Sequence, residues 1–210
     1  MRKFQWAWTA LLVIVFFAFS AWYGGNGKPI SAEDGAAMLE QLRANYADDG
    51  QSDQNFIVNM ERMIPNDDGK EFYAVNLEQL KDGAEAEAAD AAYARTVFPL
   101  LLKRGGHPVF VSHPAGLMLG DYGDQVDRVV VVRYRSLRDL IDMANDPAMI
   151  AGSPYKFQSL DHTEVFITRP RLTFVHVRFT MALLLSLIGI IGWWLIAWAS
   201  TRLNARNTPD

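Results

Sequence analysis

Four polar side chains fall on runs that read as β-strands: Asn59, His113, Arg133 and Tyr134. Brought to one cleft, an amide, an imidazole, a guanidinium and a phenol would hold and orient a small polar group. They do not form the nucleophile–base–orienter chain that covalent catalysis needs. The plainer reading is ordinary polarity at strand edges and ends. The remaining histidines add little. His107 and His113 share a strand face if no bulge intervenes, but six extended residues separate them by roughly 20 Å, too far to ligate one metal. Asp121, Asp124 and Asp127 lack the ligand count and closing glutamate of a calcium loop, and read as a hairpin loop. No phosphate loop, dinucleotide fingerprint, nucleophile elbow or HExxH helix occurs. We therefore assign no catalytic residue, no metal and no cofactor.

Composition narrows the chemistry further. The 210 residues carry a formal net charge of -4 and no cysteine. A nucleic-acid binder would show a basic face, so nucleic acid is not an expected partner. Disulfides, thiolate catalysis and cysteine-ligated metal sites are excluded. The acidity gathers in Asp48–Asp53, Asp67–Glu71 and Glu78–Asp90, which we read as solvated surface.

The elements that must position these residues lie in the middle of the chain. After a GGNGKP linker, Ser31 caps an amphipathic helix with Met38, Leu39, Leu42 and Tyr46 on one face. Phe56–Met63 reads as the first strand, and Ala86–Arg104 as a helix stopped by Gly105–Gly106. Pro108–His113 and Val129–Tyr134 are the second and third strands. Ser136 caps a second helix, which Asp146–Pro147 breaks. Glu164–Thr168 is the fourth strand. The order β-α-β-β-α-β predicts an α+β, ferredoxin-like domain, with an antiparallel sheet and both helices on one face. The strand cores FIV, VFV, VVVV and VFI are apolar on both faces, however. Two helices cover only one, so a second copy of the sheet is the expected cover for the other.

Across roughly residues 55–170 the chain resembles the small dimeric α+β barrels of the family called domain of unknown function 1330. The resemblance is carried by FIVNM, by YARTVFPLLLKRGGHPVF and above all by VDRVVVVRYRSLRDLIDMANDPAMI. There Asp127 and Arg128 precede an apolar strand, Tyr134 and Ser136 lead into a helix, and Asp146–Pro147 ends it. The chain departs from the family in a longer acidic stretch between Met63 and Ala86, and in SPYKFQ where a His-Arg pair is usual. The resemblance implies a fold and a dimer, and no established reaction.

Two uncharged segments flank this domain, Phe4–Tyr23 and Phe179–Ala199. At ~1.5 Å per residue each crosses a hydrocarbon core of about 30 Å. All six tryptophans lie in or beside them, where indoles favour the headgroup boundary. The first also has the layout of a cleavable secretory signal, although aromatic residues at both its ends suit an anchor better. Arg2 and Lys3 precede the first span, and only Lys28 follows closely. The positive-inside rule then puts residues 1–3 and the tail 200–210 in the cytoplasm, with the central domain outside. Arg169, Arg171 and Arg178 pull the second span the other way. The expected plan is a span at 4–23, a linker and amphipathic helix at 24–54, the domain at 55–170, a juxtamembrane segment at 171–178 and a span at 179–199. Ala182, Ser186 and Gly189 form a small-residue stripe for helix packing, against a dimer mate or the first span.

These features point to a two-pass protein of the bacterial inner membrane. The lipid bilayer and a second copy are its expected partners, with a larger membrane assembly as a further one. Its role is that of a small-ligand-binding or accessory module. The alternative is an oxygenase- or isomerase-like enzyme, acting on a small apolar or aromatic molecule in the barrel cleft.

Overall fold

The computed structural model describes residues 2–46, 54–172 and 176–206. The chain forms two compact units: residues Met1–Trp22 with Arg171–Asp210, and Tyr23–Pro170.

The first unit holds α1 (Arg2–Gly24, of which Tyr23 and Gly24 belong to the second unit) and α7 (Val177–Arg206). Both are long and apolar enough to cross a membrane. They pack through small residues and indoles. A Cβ on Gly192 would lie 2.3 Å from Trp8 Nε1, and one on Gly189 would lie 3.2 Å from a Leu12 methyl. Trp193 Nε1 donates to Thr9 Oγ1 at 3.0 Å.

The second unit is α+β. Its elements run α2 (Ala32–Tyr46), α3 (Gln54–Met63), β1 (Phe72–Leu80), α4 (Ala84–Lys103), β2 (His107–Ser112), β3 (Arg128–Tyr134), α5 (Leu137–Ala144), α6 (Pro147–Ser159) and β4 (Leu160–Thr168). The sheet is antiparallel with strand order β2-β3-β1-β4, the ferredoxin-like arrangement. Local signals set the helix limits. Asp34 N donates to Ser31 Oγ at 3.1 Å, and Asp139 N to Ser136 Oγ at 3.2 Å, filling two N-cap positions. Gly105 takes a positive φ of 71° after α4, and Gly106 N bonds back to Leu101 O at 2.9 Å.

Two expectations need correction. Phe56–Met63 is not the first strand; it lies within the helix α3, so Asn59 is helical. Phe56, Ile57, Met60 and Ile64 recur at helical spacing and meet Leu42, Tyr46 and Ile141 in the core. A short apolar run such as FIV does not distinguish strand from helix by itself. The first strand is Phe72–Leu80 instead, inside the stretch that looked like an acidic insertion. Asn76 and Glu78 interrupt its apolar pattern and conceal it. The second correction follows Asp146–Pro147. That pair ends α5 and at once opens α6, with Asp146 as N-cap and Pro147 in the first turn, a position where proline's missing N–H costs nothing.

The pleat sends Phe72, Ala74, Asn76 and Glu78 of β1, with Arg128, Val130, Val132 and Tyr134 of β3, to one face. That face meets the helices: Asp90 of α4 bonds Arg128, and Phe72 joins Leu137 and Ile141 of α5 in the core. Val75, Leu77, Val129, Val131, Phe110 and Phe166 occupy the opposite face. Phe110 is 50% exposed and Phe166 47% exposed.

Candidate functional site

The four side chains named from the sequence are not brought together. Asn59 is exposed on α3, and His113 is exposed just beyond the end of β2. His113 Nδ1 donates to the Asp127 carbonyl at 3.0 Å. β2 carries a register shift between Pro108 and Phe110 and ends at Ser112, so His107 and His113 do not share a regular strand face. Arg133 and Tyr134 are neighbours on β3 and leave it on opposite faces.

Arg133, 1% exposed, anchors the open side. Its Nε donates to Glu71 Oε2 at 2.8 Å, Nη1 to the Gly105 carbonyl at 2.7 Å, and Nη2 to the Tyr23 carbonyl at 3.0 Å and also to Glu71. The Tyr23 ring stacks 3.7 Å from the guanidinium carbon. His107 Nδ1 lies 2.9 Å from the Pro108 carbonyl and therefore donates to it. Neutral His107 then presents Nε2 as an acceptor to the Tyr23 hydroxyl at 3.3 Å. Arg133 thus ties the start of this unit, the turn after α4 and the start of β1 to one strand.

Next to this end the open face is apolar, with Val75, Val131, Phe110 and Phe166 at its centre. Tyr122, from the loop between β2 and β3, has its phenol pushed up by desolvation and by the neighbouring Glu164 carboxylate of β4. Asp121 and Asp124 of that loop frame a short 3-10 turn, while Asp127 Oδ2 accepts from Leu80 N at 2.8 Å. Among the described residues no group of three or more His, Asp or Glu is disposed to hold a metal.

Sequence reasoning missed a polar cluster on the helix-covered face. Arg128 donates from Nε to Glu78 at 2.7 Å, and its two terminal nitrogens fork onto Asp90 at 2.8 and 2.7 Å. Glu78 is 5% exposed, so neither it nor Asp90 is the free solvated surface expected of the acidic run. The bond from Arg128 holds the Asp90 carboxyl below the usual range. Tyr93 and Lys156 complete the group, with Nζ 5.9 Å from the ring centroid. Burial raises the Tyr93 phenol and lowers the Lys156 amine. Tyr134 stacks on Phe72, with centroids 5.4 Å apart, and desolvation pushes its phenol up to about 12. The visible clue was the Asp127–Arg128 pair ahead of the apolar strand: an arginine pointing to a covered face needs a carboxylate there.

In the first unit, Ala182, Ser186 and Gly189 line an apolar groove of about 630 Å³ between α7 and α1, together with Leu12, Val13 and Phe16. Ser186 Oγ bonds back to the Ala182 carbonyl at 2.8 Å.

No family model matches the chain, and no curated protein matches it. Among solved structures it is similar to a protein of unknown function from Rhodopseudomonas palustris, at 20% identity and a TM-score of 0.51. That alignment covers 55% of this chain and 94% of the other. The methylated form of that protein aligns at 19% identity and a TM-score of 0.51, over 57% of this chain and 93% of its own. A dimeric protein of unknown function with a ferredoxin-like fold from Bacteroides fragilis aligns at 12% identity and a TM-score of 0.33, over 48% of this chain and 96% of the other. The likeness to the first two shows a shared fold.

Proposed function

We propose that the chain is a two-pass membrane protein whose outer domain pairs through its open sheet face with a second copy, and that the pair binds a small apolar or aromatic molecule between the sheets. The observation that carries this reading is the apolar open face. Side chains as large as Phe110 and Phe166 stand half exposed there, on strands whose other face already meets the helices. Covering this face with its own copy yields a layered core of the ordinary kind, and a cleft between curved sheets suits a ligand of that chemistry. His107, partly exposed beside the buried Arg133 and Tyr23, stands at one end of the face to meet a polar substituent.

Arg2 and Lys3 support cytoplasmic termini in a bacterial inner membrane, and α1 and α7 supply the two spans, packed through the Ala182–Ser186–Gly189 stripe. A larger membrane assembly is a further partner in this reading. The kinship with domain of unknown function 1330 is proposed on the segment that forms β3, α5 and the start of α6. The enzyme alternative asked for Asn59, His113 or Tyr134 in one pocket; they lie apart, and the binding role needs none of them as a catalyst.

Native mass spectrometry of the full chain released from detergent tests the proposal. A dimer carrying bound small-molecule mass is expected, and Val131→Asp should abolish both, since a buried unpaired charge is costly. A ligand-free monomer from the unaltered chain would overturn the reading.

A further inference from the structure

The loop between β2 and β3 carries an apolar tip that its own chain leaves bare. Leu117, Met118 and Leu119 stand between Gly116 and Gly120, and Gly120 takes a positive φ of 85°. Leu117 folds back on the base of the loop, where a Cβ on Gly123 would lie 2.9 Å from a Leu117 methyl. Met118 and Leu119 do not fold back; they are 98% and 93% exposed. Single exposed apolar side chains are ordinary. An adjoining pair held off its own domain marks a surface that something else covers.

Charge and position narrow the cover. Residues 113–127 hold Asp121, Asp124 and Asp127 and no lysine or arginine. A loop that enters an anionic lipid surface combines apolar residues with basic ones, so lipid is a poor match. The loop also leaves the sheet at the end away from Tyr23 and Pro170, the two ends of this unit. The Tyr23 carbonyl accepts from Arg133, and β4 ends at Thr168, opposite Tyr73, the cross-strand partner of Arg133. The loop instead enters β3 at Arg128, about 17 Å before Arg133 at ~3.4 Å per residue. At that end Tyr122 neighbours Glu164 of β4, and Leu77 and Val129 of the open face keep partial exposure.

The open face of a second copy has the matching chemistry, and this step rests on the pairing proposed above. In a two-pass chain the spans of both copies share one bilayer, and each unit is joined to its spans from the Arg133 end of the sheet. Two such units paired face to face set like ends side by side, with the two-fold axis along the strands. Both loops then flank the same end of the cleft between the sheets. We propose that Met118 and Leu119 of each copy seat on the open face of the other, beside Leu77 and Val129, and close the cleft at the end away from Arg133. The cleft is incomplete in one copy, because part of its apolar lining comes from the other. Asp121 and Asp124 of the two loops come nearer one another, a repulsion that salt screens.

Photo-crosslinking of the full chain in membranes tests the arm. A benzophenone side chain replaces Leu119, and this chain is co-expressed with an unaltered chain that carries a different epitope tag. Irradiation should give a product with both tags, in which position 119 is joined to residues 71–81 or 129–133, the tryptic peptides that hold Leu77 and Val129. No product with both tags, or position 119 joined only to lipid, to its own chain or to another protein, would overturn the proposal. The dimer dissociation constant in detergent gives a second reading. Burial of a large apolar side chain is worth about tenfold or more in affinity, so Met118→Ser combined with Leu119→Ser should raise the constant about tenfold or more. Both side chains are almost wholly exposed in their own unit, so the change spares its fold. A constant within about twofold of a dimeric parent would overturn the arm and leave the sheet pairing standing. A parent that stays monomeric would overturn both.

Discussion

Arg133 and Tyr134 are consecutive on β3 and serve opposite sides of the sheet. Arg133 pairs across the strands with Tyr73, and its guanidinium lies under the Tyr23 ring at 3.7 Å. Tyr134 pairs with Phe72 and stacks on it in the helix-side core. One strand thus separates two environments, an open apolar face closed at one end by Arg133 and a covered face threaded by polar groups.

Replacing Arg133 with methionine keeps the apolar stem and removes every donor. The Gly105 carbonyl is left buried without its donor, the Tyr23 carbonyl loses the Arg133 bond, and Glu71 is partly exposed and regains water. An unsatisfied buried acceptor costs roughly 1–3 kcal/mol, so the loss should come to roughly 1–3 kcal/mol. Chemical unfolding of the full chain in detergent reads it; a change within about 0.5 kcal/mol, the range of an ordinary surface substitution, would refute the anchoring role.

Asp90 should set part of the acid sensitivity. Arg128 depresses its pKa in the folded state, so its contribution is complete above the ordinary carboxylate range, about 3.9. It disappears as pH falls through the lower, folded value. Asp90→Asn should therefore be less stable than the parent near neutrality and lose less on further acidification. Parallel stability curves for the two proteins below about pH 5 would contradict this.

Much of the fold was legible and part was not, for physical reasons. Ser31, Ser136 and Gly105 act through the adjoining backbone, so their caps and stops could be read directly. Val129–Val132 announced a strand by unbroken β-branching. β1 could not be read the same way, because Asn76 and Glu78 are polar on the helix side. Asn76 Nδ2 donates across to the Val130 carbonyl at 3.0 Å, and Glu78 meets Arg128. Both are partnerships with a strand some fifty positions away, invisible to local pattern. The same distance hid Lys156 and Tyr93, whose roles arise only where α6 meets α4. Arg133 stood out as a charge on an apolar strand, but its partners at 23, 71 and 105 come together only in the fold.

Gly192 should be intolerant of size. A Cβ there would sit 2.3 Å from Trp8 Nε1, so Gly192→Ile forces the contact apart. Trp8→Ala in the same chain should recover part of the loss, giving a coupling of about 1 kcal/mol in a double-mutant cycle. Purely additive effects on thermal stability would mean that the two residues are independent.

The topology can be read by labelling, because the chain has no cysteine of its own. Single cysteines at Glu33 and Arg202, both exposed, should differ. An impermeant maleimide on intact cells should reach position 33 and not position 202. Labelling at 202 alone would reverse the orientation.

Cross-linking across the open face tests the central claim most directly. Facing sheets pack about 10 Å apart, within reach of a short bis-maleimide. Phe166→Cys places one thiol on the open face, and Gln158→Cys places one on the exposed side of α6 as the control. Membranes containing the Phe166→Cys chain should yield a covalent dimer, and those containing Gln158→Cys should stay monomeric under the same treatment. A dimer trapped through position 158 and not through position 166 would mean that the copies meet by their helices, and the sheet-to-sheet account would be wrong.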